Sequence, residues 1–325
     1  MDRRSIVTLG AAAAAGLALG AGARPAAAQS AQMRIVVGFA AGGSVDLVAR
    51  MVAEHLQGAL GRTVIVENRT GAAGRLAVEQ VKAAAPDGDT LVLVPQGPMT
   101  LFQHVFKSLR FDAAKDFAPV TRVCAGDSAI TIGPRVPAKD LAGFRDWLRT
   151  AGDQATYGSP GAGTIPHFVG VSFARAIGVQ MTHVPYRGSA LSMTDLAGGS
   201  IAAAVSPVTE ALEQHRAGRV RIVATAGSVR STFVDGVPTL KESGIDVDVP
   251  LWFALYAPAA TPAPVVERLN ATITAGLGSA GMRERLARLG LVPAPSTPQE
   301  LAALQARESA MWGPIVKASG FTPED

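Results

Sequence analysis

From residue 34 onward the chain repeats one transition: a short β-rich run, a turn holding glycine, then a longer helical pattern. The stretch VVGFAAGGSVDLVARM, Val36 to Met51, is the clearest instance. Strand-like residues 34–39 lead to a helical pattern over 47–60, 63–67 to one over 76–84, and 90–94 to a segment through Val105. Strands separated by helices pair in parallel, because the helix carries the chain back along the sheet, so this spacing predicts an α/β fold. A second series follows, with strands at 155–158, 182–185, 201–205 and 220–226 and helices at 168–177, 191–196 and 208–215. Residues 122–132 and 247–256 are strand-like without an obvious partner helix, as where a chain crosses between two lobes and later returns. The expected division is therefore 33–125 with 253–325 as lobe 1 and 126–252 as lobe 2. The C-terminal helices are assigned to lobe 1, including the last, through Trp312. Thr261 and Thr297 precede Pro262 and Pro298 as expected N-caps, and Thr297 with Glu300 forms a capping box.

The first 28 residues read differently. MDRRSIVTLG is followed by an Ala/Gly/Leu run and closes on small residues at Ala26, Ala27 and Ala28, the three parts of an export signal. Arg3 and Arg4 before Ser5 resemble a twin-arginine leader and suit an ordinary secretory one equally, which leaves the route open. No later segment reaches the ~18 apolar residues of a membrane span, so an exported, soluble chain is expected. Cys124 is the single cysteine and lies far from the leader, which excludes an internal disulfide and a lipid anchor just after the signal; its expected role is a small buried apolar residue. The formal charge is +4, and losing three arginines and one aspartate with the leader leaves it nearly neutral. Charged residues make up 17%, against ~25% in an average globular chain, and no basic cluster interleaves with aromatics, so nucleic acid is not an expected partner.

Gly42 and Gly43 sit where a strand hands over to a helix. Glycine reaches backbone conformations closed to other residues, and a helix start leaves N–H groups without partners, so the turn presents donors that attract an anion. Ser44 is the expected N-cap, and Asp46 in the first turn suits the helix dipole. Neither the P-loop nor the dinucleotide spacing fits, which disfavours phosphate. YGSPGAGTIPH, Tyr157 to His167, repeats the arrangement with Gly158, Gly161 and Gly163, hydroxyls at Ser159 and Thr164, and a helix to follow. In an open α/β sheet such loops lie at the carboxyl ends of strands, where ligands bind. Two of them facing across a cleft enclose an acid.

Taken in order, RIVVGFAAGGSVDLVAR, VIVENRTGAAG, APDGDTLVL, DFAPVTRV, YGSPGAGTIPH, HVPYRGSA with TDLAGG, and WFALYAPAATPAPVVERLN resemble the tripartite tricarboxylate transporter substrate receptors, the Bug family. The resemblance implies a periplasmic binding-protein type II fold, an α/β architecture in which two lobes joined by crossing hinge strands close on a small carboxylate. It also implies that residues 39–44, with Phe39, Ala41, Gly42, Gly43 and Ser44, and residues 159–164, with Ser159, Gly161, Ala162 and Thr164, grip carboxylate oxygens. Gln96 and Gly97 are further candidates; His167 is expected to brace its helix, and Arg187 to be a surface or rim residue. Ser206 and Pro207 stand where members often carry an Asp-Asn pair. If that acid meets a ligand ammonium, its absence at Ser206 points to a ligand without positive charge.

The expected function is capture of a small organic carboxylate and its delivery to membrane transporter subunits, by a monomer that needs no metal or cofactor. The alternatives are a carboxylate sensor whose closed form signals to a sensor kinase, and a secreted hydrolase. Against the hydrolase, the chain has no G-x-S-x-G elbow, no H-E-x-x-H and no metal-ligand spacing, and its five histidines are scattered. A hinge is expected, with ligand favouring the closed form by its differential contacts.

Overall fold

The computed structural model describes residues 32–319 and 321–322. The export signal read at residues 1–28 lies outside the described residues. The chain opens with β1 (Met33–Val37), α1 (Ser44–Leu60), β2 (Val64–Asn68), α2 (Arg75–Lys82), β3 (Thr90–Pro95) and two single turns, α3 (Gly97–Thr100) and α4 (Phe102–Val105). A 16-residue strand, β4 (Phe117–Ile132), leads into α5 (Leu141–Leu148), β5 (Thr156–Ser159), α6 (Ile165–Ala176), β6 (Thr182–Pro185), α7 (Ser189–Ala197), β7 (Ala203–Pro207), α8 (Val208–Arg216) and β8 (Arg221–Thr225). The return is β9 (Pro250–Pro258), followed by α9 (Ala263–Leu277), α10 (Ala280–Arg288), β10 (Val292–Pro293) and α11 (Pro298–Ser319).

The strands run in the order β2-β1-β3-β9-β4-β7-β5-β6, with β8 and β10 also pairing β4. At one end β1 is parallel to β2 and β3; at the other β5 is parallel to β6 and β7. Between them β9 is antiparallel to both β3 and β4. The long strand β4 changes partners along its length. Residues from Phe117 to Asp127 pair with β9, whereas Ser128 to Ile132 pair with β7 and β8. The two parallel halves therefore share strands that cross between them, as the unpartnered β-rich segments of the sequence foretell.

The crossing strand begins five residues earlier than residues 122–132 suggest, at Phe117. Pro119 conceals that start, since a proline argues against an interior strand. It is accommodated because the register with β9 shifts between Pro119 and Thr121, the bulge at which a proline costs no ladder bond. Cys124 is fully buried in this strand, and burial pushes its thiol up to about 12, so it packs as the small apolar residue expected.

Most local expectations hold with ends moved by a residue or two. The capping box is present: the Glu300 carboxylate accepts the Thr297 N–H at 2.8 Å and the Thr297 hydroxyl accepts the Glu300 N–H at 3.1 Å. Thr261 departs from expectation. Pro262, not Thr261, occupies the N-cap of α9, and Thr261 is buried with its N–H given to the Pro258 carbonyl at 3.0 Å. Nor does α11 pack on one half alone. It contacts α3, α4 and α9, yet also reaches α6, where Trp312 lies 6.1 Å from the Phe168 ring. It is tied to β9 as well, because the Trp252 indole N–H is shared by both Glu308 oxygens at 2.9 and 3.0 Å. Glu308→Ala leaves that buried donor without an acceptor, and the expected loss of stability is about 1–3 kcal/mol by denaturant titration, with Glu308→Gln losing less because it retains an acceptor.

Candidate functional site

The first loop is built by the end of β1. Gly38 approaches Gly74 so closely that a Cβ would meet the Gly74 Cα at 2.6 Å, so only glycine fits there. Gly42 has φ +84°, a left-handed conformation that favours glycine. The loop is then fixed by Asp46, which is 1% exposed. Its carboxylate accepts the Gly42 N–H at 2.9 Å, Arg50 through Nε at 2.9 Å and Nη2 at 3.0 Å, and the Asn68 amide at 2.9 Å. Asn68 also donates to the Phe39 carbonyl at 3.1 Å, which binds β2 to the loop. Burial works to raise the Asp46 acid, but the bonds from Arg50, Gly42 and Asn68 outweigh it and hold the group below its ordinary value. Ser44 is the first helical residue, and Gly43 is the N-cap in its place. The Ser44 N–H donates to Oε1 of Glu210, across the cleft on α8, at 2.8 Å.

The second loop, after β5, is held mostly by its own atoms. The Ser159 hydroxyl donates to the Gly161 carbonyl at 3.0 Å and lies 2.7 Å from His183 Nε2, while the Thr164 hydroxyl donates to the same carbonyl at 2.7 Å. Gly163 has φ +72° and gives its N–H to His167 Nδ1 at 3.1 Å. His167 thus braces the loop and its helix, as expected. It stacks on His183 with ring centroids 4.0 Å apart. Burial pushes His167 down to about 4, and burial together with His167 pushes His183 down to about 3, so both rings are neutral near pH 7.

A third edge comes from Gln96, just past β3. Its side chain continues the ladder to β9: Oε1 accepts the Trp252 N–H at 3.0 Å and Nε2 donates to the Pro250 carbonyl at 2.6 Å. Gln96 is therefore held by β9 while lining the cleft, with its second amide N–H not engaged in these bonds.

Between these edges lies a cleft of about 620 Å³ including its mouth. The first residues of α1, α3, α6 and α7 line it, together with Pro207 and Glu210 at the start of α8. Helix starts carry partial positive charge, and those of α1, α6, α7 and α8 converge on this space beside the single turn α3. The remaining walls are apolar: Phe39, Phe102, Phe253, Leu251, Ile165 and several prolines. Among the described residues lining it there is no lysine, arginine or histidine, and Glu210 is the single carboxylate.

Six of the twelve residues expected from the sequence meet at this surface: Phe39, Gly43, Ser44, Gln96, Gly97 and Thr164. Ala41 and Gly42 stand exposed at the tip of the first loop. Ser159 and Gly161 are buried and do not line the cleft, Ser159 fully so because its hydroxyl closes the turn, and Ala162 is half-buried outside the lining. Ser206 is also fully buried, with its hydroxyl near Met193 Sδ at 3.8 Å and the Pro207 carbonyl at 3.3 Å. Arg187 is exposed and lines an adjoining cavity of about 630 Å³ with Phe39, Pro160 and residues 70–74. The sequence reading missed Gly188, Ser189 and Ala190, although Gly188-Ser189 before a helix repeats the signature of Gly43-Ser44. It also missed Glu210, whose signal was an acid one turn beyond Pro207.

The histidines are engaged structurally. His55 and His104 bond the Thr272 and Ser309 carbonyls at 2.8 Å, and His215 accepts the Ile222 N–H at 3.3 Å. The Ser159–His183 pair has the spacing of a nucleophile and its base, but Ser159 is inaccessible behind the turn. Among the described residues no group of three His, Cys, Asp or Glu is placed to hold a metal ion, and no helix is long and apolar enough to cross a membrane.

Two α/β halves joined by crossing strands, with a cleft rimmed by helix starts, define a binding protein of the periplasmic type II class. The sequence profile of the tripartite tricarboxylate transporter family receptors matches residues 48–321, and the chain belongs to that family. It is 33% identical to the UPF0065 protein in the gbd 5' region of Cupriavidus necator, over 99% of each chain. An R. palustris protein solved with adipate superposes with a TM-score of 0.87 at 29% identity, covering 90% of this chain and 98% of that one. MatC from Rhodopseudomonas palustris, solved with bound malate, superposes at 0.82 with 31% identity, covering 88% and 98%.

The Asp46 carboxylate gives a pH signature. With a folded value below the unfolded one, near 3.9, its contribution is complete above about pH 5 and is lost as pH falls through the folded value. Asp46→Asn should therefore be less stable than the parent near neutrality, by about 1–3 kcal/mol, with the gap closing below pH 4 in urea titrations.

Proposed function

We propose that the chain is a periplasmic receptor that captures a small organic carboxylate between its lobes and presents the closed form to the membrane subunits of a tripartite tricarboxylate-type transporter. The observation that carries this reading is the convergence of four helix starts, those of α1, α6, α7 and α8, on one apolar cleft. Such a surface offers the positive potential of helix starts to an anion and apolar walls to its carbon skeleton, without a cationic side chain to favour phosphate or nucleic acid. The adipate and malate bound by the two related structures support a carboxylate of similar size. Residues 33–125 with 253–325, and 126–252, are the bodies proposed to move, and β4 and β9 are the strands about which they turn. Exchange between open and closed forms follows from the ligand touching both sides, since only a ligand with different contacts in the two forms shifts the balance. A micromolar complex corresponds to ~8 kcal/mol, within reach of a few charge-assisted bonds and a buried carbon chain after ordering costs.

Calorimetric titration of the mature chain against C4 to C6 carboxylates, citrate-like acids and aromatic monoacids tests the reading, with binding of at least one class in the micromolar range expected. Ala190→Trp, which fills the cleft from the start of α7, should weaken that binding by about tenfold or more while the melting temperature moves little. Unchanged affinity in this variant would place the ligand elsewhere.

A further inference from the structure

The donors at the start of α1 are not free. Glu210 occupies the third position of α8 and faces α1 from the opposite side of the cleft. Its Oε1 accepts the Ser44 N–H at 2.8 Å, and the Ser44 hydroxyl bonds the same carboxyl group. The first loop leaves it room: a Cβ built on Gly43 would stand 3.6 Å from that oxygen. A carboxylate of the protein thus fills the position reserved by the sequence reading for a carboxylate of the ligand.

Two features make this consequential. No cationic side chain lines the cleft among the described residues, and Arg187 belongs to the adjoining cavity, so within the cleft itself only helix starts offset a second or third negative charge. A carboxylate also accepts about four hydrogen bonds, and Ser44 supplies two, which leaves acceptor capacity for a guest. A dicarboxylate would bring one of its charged ends against Glu210 in an apolar space. A guest whose far end carries N–H groups would instead complete the Glu210 shell.

We propose that Glu210 is a specificity-determining residue that directs the cleft toward monocarboxylates bearing an ammonium or another N–H donor at the far end, and against dicarboxylates. The inference rests on the carboxylate-receptor reading. It reverses the expectation of a ligand without positive charge drawn from Ser206: the acid absent at the end of β7 is supplied one helical turn later on α8. Burial raises the Glu210 acid above its ordinary value, a cost that a donor-bearing guest would relieve.

The test is calorimetry on the mature protein, Glu210→Gln and Glu210→Met, with melting curves to establish that each is folded. The probes are succinate and adipate, set against 4-aminobutyrate and 6-aminohexanoate as amino-acid counterparts of matched length. The parent should bind the better amino acid about tenfold or more tightly than its matched diacid, and both variants should reduce that ratio to about threefold or less. A parent that prefers the diacid, or a ratio unchanged in both folded variants, overturns the inference while leaving the carboxylate reading intact. Absence of binding by every probe in all three proteins, together with failure of the wider carboxylate panel, removes both.

Discussion

A helix that starts inside a protein must find acceptors for N–H groups that no earlier turn can satisfy. The structure depends on where those acceptors come from. At α1 they come from Asp46, which holds Gly42 and ties the loop to Arg50 and Asn68, and from Glu210, which reaches over from α8. At α6 the loop satisfies itself through Ser159, Thr164, His167 and the Gly161 carbonyl. The two loops look alike in sequence but differ in what they leave available. The second is closed on its own atoms, whereas the first is completed from across the cleft.

This difference gives the cleft its electrostatic character. Helix starts supply positive potential without a mobile side chain, so the donors are held by the fold rather than ordered on binding. Asp46 is fully buried and charged because three donors compensate it; Glu210 has Ser44 alone and its acid is correspondingly raised. The carboxylate with many partners stabilises the loop. The carboxylate with few retains capacity for something else.

The sheet keeps these pieces in register with one another. The β4 strand pairs into both halves, and β9 lies between β3 and β4, so the cleft floor and the crossing strands are one hydrogen-bonded structure. Gln96 joins them through its side chain, bonding the β9 backbone at Trp252 and Pro250 while lining the cleft. The α11 helix adds a second clasp, from Glu308 to Trp252 and from Trp312 to Phe168.

Much of this was legible in the sequence. Alternating strand and helix patterns identified the parallel halves, two unpartnered β-rich segments identified the crossing strands, and Thr297 with Glu300 marked the last helix. These are local signals, because side-chain period and capping chemistry are decided within a few residues. The same reasoning found the strand–glycine–helix loops, and half of the residues it singled out meet at the cleft. It failed where an outcome turned on a distant partner. Ser159 looks like Ser44 until His183 and Gly161 close the turn around it, Thr261 looks like a cap until packing buries it, and Pro119 looks like a break until β9 supplies a bulge. Glu210 is the largest of these cases: its sequence position says only that an acid opens a helix. That it spans the cleft to Ser44, 166 positions away in the chain, was decided by the tertiary structure, because periodicity carries no information about which helix starts face one another.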